Sequence, residues 1–190
     1  MLKKLFCIAL SAAFLLALCA CEKEEKEPAA PSVDLEYYAG LGSIPECPYT
    51  LGTDVAAVKA ELEAAASQDG EENDVVIYDV TEGERTVRID NGQFLYYYEK
   101  SNESAGISYI VDLQTAYGFE LGTVSLEVKE ALAGYEPEET DLTEDDVFFL
   151  FGISNATGLR VNFDNIGILF VFQDNLLCAT AIYNTTNWTL

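Results

Sequence analysis

An internal repeat is the strongest constraint this chain places on its own fold. Leu51-Gly52-Thr53 recurs as Leu121-Gly122-Thr123, and at the same offset Val58-Lys59 matches Val128-Lys129 and Leu62 matches Leu132. Further along, Asp74-Val75 corresponds to Asp146-Val147 and Val87-Arg88-Ile89 to Leu159-Arg160-Val161. Asn91 then aligns with Asn165, Leu95 with Leu169, Tyr96-Tyr97-Tyr98 with Phe170-Val171-Phe172, and Ile110 with Ile182. Small drifts in offset are what loop insertions leave behind when a duplicated unit diverges. A chain of this kind should build one supersecondary unit twice, over residues 46–116 and 117–190.

Each unit has the same internal order. Thr53 is placed to cap a helix carrying Val55, Val58 and Leu62 at helical spacing, and the helix should run out by Ser67-Gln68-Asp69-Gly70. Thr123 opens the second helix, with Val128 and Leu132 inward and Gly134 as a stop. Strand-like runs follow. They span 75–80, 86–90, 94–99 and 107–113 in the first unit, and 147–151, 158–162, 168–173 and 178–183 in the second, all rich in β-branched and aromatic residues. The fold class is α+β: two tandem units, each an N-terminal helix packed on a four-stranded antiparallel sheet.

Asn91-Gly92 reads as a two-residue type I′ hairpin turn, which sets cross-strand partners. Arg88 should then oppose Leu95 and Ile89 should oppose Phe94. One face carries Val87, Ile89, Phe94 and Tyr96 toward the helix; the other carries Arg88, Leu95 and Tyr97. In the second unit Leu159, Val161, Ile168, Phe170 and Phe172 face the core, and Arg160, Leu169 and Val171 lie opposite. Arg set among apolar and aromatic groups is a common interface anchor. Arg88, Leu95, Tyr97, Arg160, Leu169 and Val171 are therefore the candidate partner-binding residues, on an expected open sheet face. The plainer alternative is that each Arg pairs with a local carboxylate.

The N-terminus carries an address. Lys3 and Lys4 precede an apolar run from Leu5 to Leu18 and then Cys19-Ala20-Cys21, the layout of a secretory signal over residues 1–20. The apolar run is shorter than the roughly 20 residues a spanning helix needs. Leu18-Cys19-Ala20-Cys21 resembles a bacterial lipobox, in which the last Cys is diacylated; Cys21 is the candidate lipidation site. Two acyl chains suffice for stable anchoring without a membrane span. Residues 21–45 then read as the lipidated Cys and a disordered acidic tether, with Glu22 to Ser32 rich in charge and proline. The expected location is the extracytoplasmic face of a bacterial cell membrane.

That cut leaves Cys47 and Cys178 as the remaining cysteines. An even pair in an exported protein is a candidate disulfide, with two free thiols as the other outcome.

Composition narrows the function. With 33 Asp and Glu against 10 Lys and Arg, the net charge is -23, and loss of Lys3 and Lys4 with the signal makes it -25. Such a chain repels a phosphate backbone, so no nucleic-acid partner is expected. It has no His, which removes Ser-His and Cys-His catalysis and most zinc sites. The acidic run Glu136 to Asp146, and Glu71, Glu72 and Asp74, lack the alternation and central Gly of an EF-hand and read as solvated loops. No catalytic residues, metal ligands or cofactor are assigned.

Tyr49-Thr50-Leu51-Gly52-Thr53 with Val58, repeated as Phe119-Glu120-Leu121-Gly122-Thr123 with Val128, resembles the opening of repeats in the β-lactamase inhibitor protein family. It is also similar to the small outer-membrane lipoproteins of the β-barrel assembly machinery. The resemblance implies a helix followed by antiparallel strands, in tandem for the inhibitors, with a concave sheet that binds protein and performs no catalysis. This chain lacks the Met usual after that Gly and the inhibitors' one disulfide per repeat. The expected function is a non-enzymatic lipoprotein binding a protein or envelope component through its open sheet faces. A small-ligand or calcium-binding module is the first alternative, and a carboxylate-based envelope hydrolase the second.

Overall fold

The computed structural model describes residues 33–68, 79–114, 117–142 and 153–186. The signal segment, Cys21, the acidic residues Glu71, Glu72 and Asp74, and the expected strand at 147–151 lie outside them.

Within the described residues the protein is α+β, with three α-helices: α1 (Leu35–Leu41), α2 (Val55–Gln68) and α3 (Ser125–Ala131). The eight strands are β1 (Asp79–Glu82), β2 (Thr86–Asp90), β3 (Phe94–Glu99), β4 (Tyr109–Asp112), β5 (Glu138–Asp141), β6 (Ala156–Phe163), β7 (Ile166–Gln173) and β8 (Leu176–Asn184). They form one antiparallel sheet in the order β1-β2-β3-β4-β8-β7-β6-β5. Instead of two separate four-stranded sheets, β4 pairs directly with β8, setting Ile110 against Ile182 and Tyr109 against Tyr183. Joining the halves in this way hides two strands that would otherwise be exposed edges.

Two corrections follow. The tether expected through residue 45 contains α1, whose Asp34 accepts the Tyr37 backbone N–H at 3.1 Å and whose C-cap is Gly42 in the left-handed region. Leu35 and Ala39 are buried, and α1 packs on β6 and β7. The acidic run expected to be wholly loop contains β5, which hydrogen-bonds along β6. Both edge strands, β1 and β5, are short and acidic, a composition that discourages pairing with another strand.

Helix starts depart slightly from expectation. Asp54, not Thr53, accepts from the first turn of α2, through the Ala57 N–H at 2.8 Å. The Thr53 hydroxyl instead donates to the Thr50 carbonyl at 2.7 Å, and the Thr123 hydroxyl to the Glu120 carbonyl at 2.6 Å. In both cases the threonine closes the turn that the preceding glycine opens with a positive φ.

The Asn91-Gly92 hairpin is longer than a two-residue turn. The Asn91 side-chain oxygen accepts from the Gln93 and Phe94 N–H groups, and the first strand pair is Asp90 with Leu95. Arg88 therefore opposes Tyr97 rather than Leu95. Each β2 residue meets a β3 residue two places further along, and since side chains alternate with period two, an even slip leaves every side chain on its face. Val87, Ile89, Phe94 and Tyr96 join Val58, Leu62, Val128, Leu159, Ile168 and Phe170 in one apolar core beneath the helices, continuous across both halves.

Candidate functional site

The second face of the sheet is continuous but closed. Leu95, Tyr97, Leu169 and Val171 are between 0% and 3% exposed and belong to a second apolar cluster with Tyr109, Val111, Ala179, Ala181 and Tyr183. Leu113, Leu142, Ile153 and Cys178 pack against its margin. The six residues expected to form an open contact surface are thus together on one face, yet four of them are interior. Large apolar side chains on a sheet of this width gain too much from burial to stay wet.

A row of side chains organises this face. Register runs from Arg88 on β2 to Tyr97 on β3, Tyr109 on β4 and Tyr183 on β8. The Tyr97 and Tyr109 rings meet edge to face with centroids 6.4 Å apart, and Tyr109 stacks on Tyr183 at 5.5 Å. The Arg88 guanidinium lies beside Tyr97 at one end of the row, and the Arg160 guanidinium beside Tyr183 at the other. Burial raises the pKa of both phenols, with the neighbouring guanidinium pulling the other way. Arg88 also donates to the Thr81 hydroxyl at 3.1 Å, and Arg160 to the Glu138 carboxylate at 2.7 Å. The hydrogen bond to Glu138 holds the Arg160 pKa above its ordinary value. Each Arg thus bonds its own edge strand, β1 or β5; Arg160 does so through a carboxylate, as the plainer alternative expects, whereas the partner of Arg88 on β1 is a hydroxyl. From sequence Tyr183 reads as a core residue and Tyr109 has no assigned role; their place in this row follows from the β4–β8 pairing, which no local pattern reveals.

Cys47 and Cys178 are both free. Cys47 packs at the helix-side core, its thiol 3.8 Å from the Tyr96 hydroxyl, whereas Cys178 packs against the opposite cluster and donates to the Val171 carbonyl. The sheet lies between them, so the candidate disulfide does not form. Burial pushes both thiols above their ordinary range.

With both sheet faces filled, the accessible features lie at the ends of the strands. One is a corner where the segment before α3 runs beside the β7–β8 turn. Gly122 N–H donates to the Leu177 carbonyl, Leu177 N–H to the Thr123 carbonyl, and Val124 bridges Leu176. On and beside these paired segments Leu121, Val124, Leu126 and Leu176 are 40% to 60% exposed. The exposed acids Glu120, Glu127 and Asp174 flank them; the nearest cation, Lys129, is held by Glu139.

The other feature is a groove of about 810 Å³ at the opposite strand ends, between α1 with its Gly42 cap and the β6–β7 turn. Among the described residues no group of three or more Cys, Asp and Glu side chains could hold a metal ion, and no helix is long and apolar enough to cross a membrane. No family model, curated protein or solved structure matches the chain.

Proposed function

We propose that the protein is a non-enzymatic lipoprotein, held by diacylated Cys21 on the extracytoplasmic face of a bacterial membrane, that binds a protein partner. The observation carrying this reading is the exposed apolar corner of Leu121, Val124, Leu126 and Leu176. Isolated exposed leucines need no explanation, but four large apolar groups exposed on two segments paired through Val124 and Leu176 favour a surface that a partner covers. The flanking Glu120, Glu127 and Asp174 favour a partner with an apolar centre and basic surroundings.

We also infer that residues 46–116 and 117–190 are copies of one unit, akin in scaffold to the β-lactamase inhibitor protein family. The hydrogen bonds support it. Gly52 N–H donates to the Ile107 carbonyl and Ile107 N–H to the Thr53 carbonyl, the same exchange as Gly122 with Leu177 and Leu177 with Thr123. Arg88–Tyr97 and Arg160–Leu169 occupy equivalent cross-strand positions, as do Ile89–Tyr96 and Val161–Ile168. This matching pairs Tyr97 with Leu169, with no insertion in the hairpin. Ile110 and Ile182, matched in the repeat, also face each other across β4 and β8, as expected at a pseudo-two-fold axis.

In intact cells, a photo-reactive residue replacing Leu126 should give a discrete protein adduct, and one replacing the exposed Ala60 on α2 should not. Leu121→Asp with Leu176→Asp should abolish the adduct. Adducts at neither position, or equally at both, would sink the proposed corner. Cys21→Ser should release the protein from membranes.

A further inference from the structure

Helices cover one face of the sheet, and no described helix covers the other. Every residue of the second apolar cluster, from Leu95 on β3 to Ala156 on β6, belongs to a strand, and those packed at its margin lie on a strand or within a few residues of its end. Leu35, Val58 and Val128, which bring α1, α2 and α3 onto the sheet, all belong to the opposite core. The second face is nonetheless dry. Ala179 and Ala181 are each 1% exposed, and their cross-strand partners Val171 and Leu169 are equally shielded. An alanine methyl stands lower than its neighbours on a pleated surface and stays open to water unless a further layer lies on it.

The ends of the β5–β6 connection show where that layer enters. Asp141 on β5 pairs with Thr157 on β6, and two to five residues would close a hairpin between such neighbours, yet the connection runs from 142 to 156. Both of its described ends lean onto the second face. A Cβ built on Gly158 would meet Leu169 Cδ1 at 2.7 Å and Leu142 Cδ1 at 3.7 Å, so Leu142 lies back over β6. Ile153 packs on the same cluster, and the Ser154 carbonyl accepts from the Gln173 side chain on β7 at 3.2 Å.

Between Leu142 and Ile153 the sequence places five large apolar residues in succession: Val147, Phe148, Phe149, Leu150 and Phe151. Length suffices. Residues 143–152 can span at most about 33–36 Å, whereas an excursion from β6 to β8 and back, across strands about 4.8 Å apart, needs only about 20 Å. Other segments outside the described residues enter elsewhere: those before Val33 lead into α1 on the helix side, and 69–78 join α2 to β1 at the far edge of the sheet. We propose that residues 147–151 dock on the second face of the sheet, over Ala179 and Ala181, with Glu144, Asp145 and Asp146 at its rim. Docking removes both apolar surfaces from water. The face expected to be open to a partner is then taken by the chain's own residues, which leaves binding to the strand ends.

Methyl NMR on the full chain tests the docking directly: the Ala179 and Ala181 methyls should show NOEs to the aromatic protons of Phe148, Phe149 or Phe151. The two free thiols give a second readout, since Cys178 packs at the margin of this face and Cys47 on the opposite side of the sheet. Successive side chains point in different directions, so Phe148→Ala with Phe149→Ala thins the docked layer whichever of the two meets the sheet. In that variant the maleimide-labelling rate of Cys178, resolved by mass spectrometry, should rise about tenfold relative to that of Cys47, as expected for a local opening. NOEs from the two alanine methyls to residues 1–32, 69–78 or 187–190, or to a second copy in a mixed-label sample, would overturn the proposal. So would a Cys178-to-Cys47 ratio that stays at the wild-type value.

Discussion

The ring of Tyr183 lies over Gly167, so close that a Cβ built on the glycine would stand 2.3 Å from the ring carbon Cζ. Gly167 and Tyr183 are cross-strand partners on β7 and β8. The missing side chain leaves room for the Tyr183 ring while it stacks on Tyr109.

Replacing Gly167 with Ala should therefore cost about 1–3 kcal/mol, as overpacking of a filled interior usually does. Urea denaturation would measure the loss. In a double-mutant cycle Tyr183→Ala should cancel most of the Gly167→Ala penalty, since the clash goes with the ring. Fully additive losses would mean that the ring is not what the new methyl group meets.

Gly106 has φ 77° and ψ -161°, and a Cβ there would sit 2.5 Å from the Gly52 carbonyl oxygen. That neighbour is backbone, fixed by the bonds between the Leu51-Gly52-Thr53 turn and Ile107. Gly106→Ala should lower stability by about 2–4 kcal/mol, whereas Gly134→Ala, in open space, should stay within about 0.5 kcal/mol of the wild type. Thermal unfolding of the two variants side by side checks the contrast.

Alkaline pH should unfold the protein through its phenols. Burial, and then the hydrogen bond to Glu61, push Tyr49 up to about 12. Burial also raises Tyr96, Tyr97, Tyr117 and Tyr183 above their ordinary value of 10.0. A group raised on folding contributes its full stabilisation below its unfolded pKa and loses it as pH climbs through the folded one. The urea midpoint should thus be insensitive to these groups below about pH 10 and fall steeply between about 10 and 12. Tyr49→Phe should soften the fall. A midpoint unchanged through that window would contradict the burial of these hydroxyls.

Much of the architecture was legible along the chain because it is written in short-range periodicities. β2 and β3 fall at the expected residues, and the division of Val87, Ile89, Phe94 and Tyr96 from Arg88, Leu95 and Tyr97 holds even though the hairpin register moved by two. Strand alternation is a property of parity, and an even slip does not touch it. The helix α1 is not legible because it is a short helix of about two turns after a charged, proline-rich stretch, held by its packing on β6 and β7. β5 was missed because its Glu-Glu-Thr-Asp has low strand propensity; pairing with β6 and the Arg160–Glu138 bond hold it in place.

The sequence by itself determined the α+β composition, the helix positions at the two Leu-Gly-Thr turns, and which side chains share a face. Only the tertiary structure decided what each face meets. Whether Leu95, Tyr97, Leu169 and Val171 are wet or buried depends on the pairing of β4 with β8 and on what packs across the sheet, contacts between residues far apart in the chain. The same long-range packing keeps Cys47 and Cys178 on opposite sides of the sheet, turns the two Arg from candidate anchors into struts for the edge strands, and leaves the accessible chemistry at the strand ends. No local pattern encodes those outcomes, because each is set by which distant apolar surfaces exclude water together.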